Sequence, residues 1–499
     1  MDLQFQKTVC TCLDAVLCEV QNSEQTQEMR ISDGMPDIGR ILAAWGQPVL
    51  RGKEWRSDSI AINGGMLVWV LYAPEDGTEP RCVDSWLPFQ MKWDLPEDCP
   101  EGQIRIQLLP RFVDARSISA RKVMLRTGVA VMAEALAPQQ VQLWNASDIP
   151  EDVELLRIRY PVRISREAGE KTFLMDEDFT MPGSAPQPDK LIYYVVRPEV
   201  SDQKVMGDKV VFRGNGNLHV LYRSEEGQLH SWDFPLPFSQ YADLRENFPS
   251  DARADVAMCP TSLELELDDE GHIRVKCALT AQYLVDNQEL LEVIEDAYSP
   301  TRELQMERGS VQLPAVLDVR TENVYGEQTI PADVNLAADL TFWPDFPRQY
   351  RMEDAVRMEF PGVFQALYYD ENGALQGTTS RWEGSRQVAA DYNTRLAAVP
   401  QRASEPQMSL ADGAMTLKSE VPVSLKATAR QEIPMVSGLS LGEQRDPDPG
   451  RPSLILHRAG KMRLWDIAKK SGSTVEAIRK ANGIDEEPEP GRMLLIPVS

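Results

Sequence analysis

Apolar and polar residues alternate through long stretches of residues 1–443. The alternation is clearest in three blocks, at residues 123–131, 273–281 and 415–423. A period of two residues is typical of strands that bury one face. Turn pairs such as Asn63-Gly64 and Asn372-Gly373 interrupt the apolar stretches,. Few stretches keep a helical period, so the sequence predicts a mainly β body made of antiparallel, sandwich-like domains.

The pattern changes after Pro452, where strand and helix periods follow each other in a short space. An apolar strand is predicted at residues 454–456 and another at residues 493–497,. Between them, Leu464, Ile467 and Ala468 recur at helical spacing, and Gly472 is expected to end that helix,.

A second helix is predicted directly after the first. Ser473 and Glu476 have the spacing of a capping box, in which the hydroxyl accepts from the Glu476 N–H while the carboxylate reaches back,. Asn482-Gly483 supplies the left-handed residue that ends this helix,. The C-terminal segment therefore reads as one small βααβ module.

The body contains an internal repeat at a spacing of roughly 150 residues,. Apolar blocks at residues 65–72, 216–222 and 362–368 begin with Gly and end in Leu-Tyr. In the first two copies the pairs Pro88-Phe89 and Pro237-Phe238 each stand five residues before an Asp-Leu pair. We interpret the body as three related β domains.

The repeat and the change of pattern together predict the boundaries of the chain's units. The three β domains, a Pro-rich charged linker and the module are expected at residues 1–149, 150–311, 312–443, 444–452 and 453–499,.

The module resembles the LysM family. The resemblance rests on the runs at residues 464–470 and 474–484, and on Pro490-Gly491 before Leu494-Leu495-Ile496-Pro497. It implies binding of N-acetylglucosamine glycans such as peptidoglycan, through the loops before the first helix and after the second. The usual Gly-Asp-Thr/Ser-Leu at the first of these loops is replaced here by residues 460–464, which lack the acidic and hydroxyl side chains.

Three tandem β units followed by one LysM module resemble the layout of SipL-like clostridial spore-coat morphogenetic proteins, which carry SPOCS-type domains. That resemblance implies a non-enzymatic protein of the mother-cell cytoplasm, placed at the forespore surface. It also implies that the LysM module docks onto the coat ATPase-type protein that polymerises around the forespore, instead of onto glycan.

The candidate binding surface follows from this resemblance and from residue chemistry. Large aromatic and Arg side chains dominate interface energies, and a basic rim suits an acidic partner. The predicted surface consists of Lys461, Met462, Arg463, Leu464, Trp465, Lys469, Lys470, Asn482, Gly483 and Ile484. Trp465 alternatively packs only within the module.

Charge separates the module from the body. The net charge is −25, and the segment from Pro452 onward holds eight Lys/Arg against six Asp/Glu, so the rest carries −27. An acidic body repels phosphate, which excludes nucleic acid as its partner.

The sequence also predicts a compartment. No apolar stretch near Met1 has the length of a secretory signal, and the run at residues 66–73 is too short to span a membrane,. Seven cysteines without Cys-x-x-Cys pairs fit a reducing cytoplasm,. The spacing of Cys10, Cys12 and Cys18 allows a soft metal ion but favours a strand with small apolar side chains.

No group of residues predicts catalysis. Residues 438–442 match a Gly-x-Ser-x-Gly elbow by letter, but prolines follow where a helix is needed,. His219 stands where the first repeat has Trp69, so it is expected to pack on a sheet. Acidic residues 268–270 lack the spacing of a calcium loop. We therefore predict no enzyme, no cofactor and no metal.

Two other functions stay open at this point. The first is a wall or cortex protein whose LysM module binds peptidoglycan. The second is a phage tail or baseplate component, because such proteins also join β domains to LysM without a signal peptide.

Overall fold

Antiparallel strands form most of the chain. The computed structural model describes residues 5–146, 149–401, 406–411, 413–445, 450 and 452–498. The strands of the first part of the body are β1 (Phe5–Arg30), β2 (Ile38–Trp55), β3 (Ser59–Pro74), β4 (Arg81–Asp94), β5 (Gln103–Ser119) and β6 (Lys122–Ala146). Those of the second part are β7 (Glu154–Thr180), β8 (Pro188–Ser224), β9 (Leu229–Phe234), β10 (Pro237–Phe248), β11 (Arg253–Leu267) and β12 (His272–Tyr298).

The third part and the C-terminal module complete the chain. The strands of the third part are β13 (Arg302–Pro331), β14 (Val334–Pro344), β15 (Arg348–Arg351), β16 (Ala355–Asp370), β17 (Leu375–Ala389), β18 (Arg395–Pro400), β19 (Gln407–Ala411) and β20 (Ala414–Gln444). The module consists of β21 (Leu454–Arg458), α1 (Leu464–Ser471), α2 (Val475–Asn482) and β22 (Met493–Pro497).

Each part of the body is built from two antiparallel sheets. The first strand of a part pairs with its last: β1 with β6, β7 with β12 and β13 with β20, and shorter strands complete that sheet. The second sheet, here called the central-strand sheet, has β3 between β2 and β4 in the first part. In the second part β8 pairs with β9 and β10, and in the third part β16 pairs with β14, β15 and β17.

The two sheets of each part enclose a hydrophobic core. In the second part, Phe212 and Leu218 of β8 pack with Ile273 and Val275 of β12, and all four are fully buried. This arrangement is a β sandwich, because alternate residues of both sheets point inward. The predicted fold, sandwich-like β domains followed by a βααβ module, is confirmed.

The ends of two predicted units fall inside strands. The boundary between residues 311 and 312 lies within β13, which begins at Arg302. Strand β20 continues to Gln444 and so reaches the predicted linker at 444–452. Residues 446–449 and 451 of that linker lie outside the described residues.

The three parts share cores where they meet. Cys12, Ile164 and Leu313, one from each of β1, β7 and β13, belong to one buried cluster. Burial raises the pKa of the Cys12 thiol to about 12, so this thiol stays neutral and packs as a small apolar group,. A second shared cluster joins the central-strand sheets of the three parts, and in it the rings of Trp45 and Tyr193 stack 4.8 Å apart.

Buried polar groups also join the first and second parts. The Gln282 side chain donates to Ile106 O at 2.8 Å and accepts from Ile106 N at 2.9 Å, as a neighbouring strand would. Arg105 donates to Glu134 of its own part and to Asp255 of the second part, at 2.8 and 2.7 Å. The Arg105 Nε is buried without a hydrogen-bond partner among the described residues, but both terminal nitrogens of Arg105 and the Gln282 amide are paired at the contact. This pairing fixes how the parts sit together.

His219 lies at the contact between the second and third parts, where it is 5% exposed. Its Nδ1 is 3.1 Å from Asp233 and its Nε2 is 2.9 Å from Asp339 of β14. Burial lowers the pKa of the imidazole, as does nearby Arg197. The charge of Asp339 and the hydrogen bonds to both carboxylates outweigh them and raise the pKa to about 9,. His219 therefore packs at a sheet, as predicted, and is an imidazolium at pH 7.

We expect His219 to make stability depend on pH. Its pKa is raised above the ordinary value, so its contribution is full below about pH 6.5 and is lost as pH rises through about 9,. His219→Gln should lower the free energy of unfolding by about 3–5 kcal/mol, because it removes the cation that is bonded to the buried Asp339 carboxylate,. Urea unfolding at pH 6 and pH 9.5 measures both effects.

The control is His272→Gln, because His272 lies on a hairpin and its side chain is 43% exposed. This variant should unfold like the unchanged chain. If the unchanged chain and His219→Gln lost equal stability between the two pH values, the interpretation of His219 would be wrong.

Candidate functional site

The C-terminal module folds around the apolar faces of its two helices. Leu464, Ile467 and Ala468 of α1 and Ile478 of α2 are buried with Leu494 and Ile496 of β22. Helix α1 is followed by Gly472 and α2 by Gly483, both left-handed with φ of 60°. The sequence predicts both helix ends, because only glycine adopts that conformation without strain.

The start of α2 differs from the prediction by one residue. Thr474, not Ser473, is the N-cap, and its hydroxyl accepts from the Ala477 N–H at 3.0 Å. The Ser473 hydroxyl is buried and has no hydrogen-bond partner among the described residues. The capping box fails because the helix begins at Val475, which moves the third helical residue to Ala477.

The two loops of the candidate site are tied to each other. Gly491 N donates to Ala459 O at 2.7 Å, and Ala459 N donates to Arg492 O at 2.8 Å. Across the same gap, the Glu487 carboxylate accepts from Leu464 N at 2.7 Å. The residue before α1, Arg463, gives no side-chain cap. Glu487 therefore supplies the acceptor that the unusual first loop lacks, and its charge suits a helix N-terminus.

Sequence reasoning missed Glu487. The available signal was the absence of a capping side chain in residues 460–463, since an uncapped helix start needs an acceptor from elsewhere,. Four acids follow α2 in the second loop, and the sequence alone does not say which of them reaches back.

The predicted binding residues divide between the surface and the core of the module. Lys461, Met462, Arg463, Lys470 and Gly483 are exposed, and Lys469 and Asn482 are half-buried. Leu464, Trp465 and Ile484 are buried. The three buried side chains cannot contact a partner without movement of their surroundings.

Trp465 and Lys469 contact the body of the same chain. The Trp465 indole N–H donates to Asp296 at 3.0 Å, and the Lys469 ammonium donates to both oxygens of Asp296 at 2.9 and 2.6 Å. The Trp465 ring meets Tyr298 edge to face, with centroids 4.8 Å apart. The Tyr298 hydroxyl donates to Ser473 O at 2.9 Å. The basic module is therefore seated on the acidic body through β12.

Electrostatics both support and oppose this contact. Burial raises the pKa of Asp296, but the hydrogen bonds from Lys469 and Trp465 outweigh burial and hold it below its usual range. Glu154 of β7 faces Glu476 of α2, and burial together with that like charge raises the pKa of Glu154. The contact thus combines one carboxylate, which accepts charge-assisted hydrogen bonds from Lys469 and Trp465, with one repulsive pair,.

Asn482 has a structural role in the module. Its amide donates to Ile478 O at 2.8 Å and to Leu495 O at 2.6 Å, and its carbonyl accepts from Leu495 N at 2.7 Å. The two bonds to Leu495 attach β22 to the end of α2.

The outer face of the two-stranded β21–β22 sheet is apolar and exposed. Leu456 and Leu495 stand opposite each other and are 66% and 38% exposed, and Leu454 and Met493 flank them. An apolar sheet face of this kind is typical of interaction surfaces. The sequence signal was available, because Leu454 and Leu456 alternate with the inward Ile455.

The rejected catalytic candidates lie in regular structure. Ser440 is inside β20, opposite Gln305, and β20 continues past it to Gln444 where the elbow motif needs a helix. Asp268 closes a hairpin turn by accepting from the backbone N–H groups of Glu270 and His272. Neither arrangement resembles an active site.

Two family models match this chain. A model described as SipL, SPOCS domain matches residues 188–266, which run from the start of β8 nearly to the end of β11. A LysM domain model matches residues 464–497, from the start of α1 to the end of β22. The chain has no match among the curated proteins or the solved structures compared with it.

These matches confirm the predicted resemblance. The second part contains a segment that matches a SipL SPOCS domain, and the C-terminal module matches a LysM domain, as the resemblance to SipL-like proteins implies. Both are non-catalytic binding domains, they fit a sporulation-related protein, and the LysM domain points to glycan binding. In the described part of the chain, no helix has the length and apolar character needed to cross a membrane.

We expect Asn482→Ala to destabilise the LysM module by about 1–3 kcal/mol, because it removes two hydrogen bonds to Leu495 of β22 and one to Ile478 of α2,. Hydrogen exchange of the Leu495 amide in the full chain should become faster. Lys480→Ala, an exposed change in the same helix, is the control. Unchanged exchange at Leu495 would contradict the structural role of Asn482.

Proposed function

We propose that this SipL-like chain is a non-enzymatic assembly protein of the spore coat. The β body acts as a scaffold, and the LysM module docks it to a partner in the basement layer of the coat. The site of action is the forespore surface, on the mother-cell side. The observation that carries the proposal is the presence of a SPOCS domain and a LysM domain in one chain.

The partner in this proposal is a coat ATPase-type protein, as the family resemblance implies. Its docking surface would be acidic, because the exposed part of the predicted binding surface is basic. Lys461 and Arg463 flank Met462 in the chain, Met462 is 42% exposed, and Lys470 is exposed in the last turn of α1. An apolar side chain with a charged rim supports specific docking, and the rim charges speed association.

In the proposal, the outer face of the β21–β22 sheet extends this docking surface. Leu456 and Leu495 offer apolar area, and Arg458 lies beside them opposite Met493. Apolar area of this kind supplies most of the energy of an interface, while flanking charges select the partner.

Glycan binding is the second candidate function. The LysM match favours it, because that family is one of glycan-binding modules. The first loop, however, carries Lys461, Met462 and Arg463 in place of acidic and hydroxyl groups that bond to sugar. We place protein docking first for that reason.

A fluorescent fusion in sporulating host cells tests the main proposal. The full chain should form a shell around the forespore, and a chain truncated after Arg451 should disperse. Diffuse or vegetative-wall signal from the full chain would overturn the proposal and favour the glycan candidate.

Charge reversal on the module surface tests the docking residues. Lys461→Glu combined with Lys470→Glu should weaken forespore recruitment roughly several-fold, because both lysines are exposed and would face an acidic partner,. Lys480→Glu on α2 is the matched control, since it changes charge outside the proposed surface. Equal recruitment of all variants would remove Lys461 and Lys470 from the interface.

A further inference from the structure

We propose that the body holds the LysM module in a closed position that masks Trp465 and Lys469 from an external partner. This inference rests on the docking function proposed above and describes its regulation. It starts from the placement of two predicted binding residues against β12 of the same chain.

The masking is nearly complete for the aromatic residue. Trp465 is 6% exposed, and its only polar atom is bonded to Asp296. Lys469 places its ammonium on the same carboxylate, so one acidic residue occupies both side chains. A partner that needs Trp465 and Lys469 must first displace Asp296 and Tyr298.

The contact is built so that release leaves no buried charge behind. Asp296 also accepts from Arg308 of β13 at 2.7 Å, so it keeps a cationic partner when the module leaves. The Lys469 side chain is already 35% exposed and can be hydrated without large rearrangement. Breaking a salt bridge is costly mainly when one partner stays buried and unpaired, which is not the case here.

The contact between the module and the body also contains features that oppose closure. Glu154 and Glu476 carry like charges across it. The buried Ser473 hydroxyl lies beside the bond from Tyr298 and finds no partner in the described part of the chain. A contact with opposing terms of this kind has a modest free energy, so an external partner can compete with it.

The open fraction then sets the apparent affinity of docking. When only a fraction of molecules is open, the dissociation constant for a partner rises by the inverse of that fraction. Lys461, Met462 and Arg463 are exposed in the closed position, so they can bind a partner before release. Only the binding energy that the partner gains from Trp465 and Lys469 after release shifts the module to the open position. The body thus acts as an internal competitor for the docking surface.

Hydrogen exchange of the full chain tests the closed position without any partner. A seated module is stabilised by its contact with the body, so its amides exchange more slowly than in an unseated one. Asp296→Asn and Lys469→Ala should each speed exchange at residues 464–482 on the order of tenfold, through loss of charged hydrogen bonds. Glu154→Gln should slow it, because the like charge is removed. Lys480→Ala is the matched control and should leave it unchanged.

Two results would overturn the inference. One is equal exchange at residues 464–482 in Asp296→Asn, Lys469→Ala and the unchanged chain. The other is faster exchange that extends to β9 and β10, because Asp296 would then support the body fold and not the module position. Neither result depends on forespore recruitment, so this inference and the coat-docking proposal can fail separately.

Discussion

The pairing of the first and last strand in each part of the body is the constraint on which the rest of the structure depends. Because β1, β7 and β13 bond along β6, β12 and β20, the strands between them must return inside the loop that each pair closes. That closure sets two sheets face to face in every part. It also brings the three long pairs together around Cys12, Ile164 and Leu313, so the parts share a core.

Polar groups at these contacts decide how the parts are oriented. Apolar burial is non-directional, and it alone allows several arrangements of similar energy. The paired Gln282 amide and the His219 imidazolium between Asp233 and Asp339 are satisfied in one arrangement only. Partial loss of such a network costs more than the bonds themselves, since unpaired buried groups remain. These bonds therefore specify a single arrangement of the body.

The seat of the LysM module depends on the end of β12, where Asp296 and Tyr298 stand together. Asp296 lies in β12, beyond the residues 188–266 that match the SPOCS domain, and it joins the body to the LysM domain physically. The same contact leaves the basic loop at Lys461 and the apolar outer face of the β21–β22 sheet exposed. The module is thus presented on one side and held on the other, which links the scaffold to its proposed docking head.

The sequence by itself determined the local features of this protein. Period-two alternation gives the strands, Gly472 and Gly483 give the helix ends, and the LysM pattern gives the βααβ module, because each depends on residues close in the chain. The cap shifted from Ser473 to Thr474, a choice between adjacent hydroxyls. Only the tertiary structure decided that Glu487 caps α1, that Asp339 reaches His219 and that Asp296 occupies Trp465 and Lys469. Those partners lie far apart in sequence, and folding alone brings them within hydrogen-bond distance.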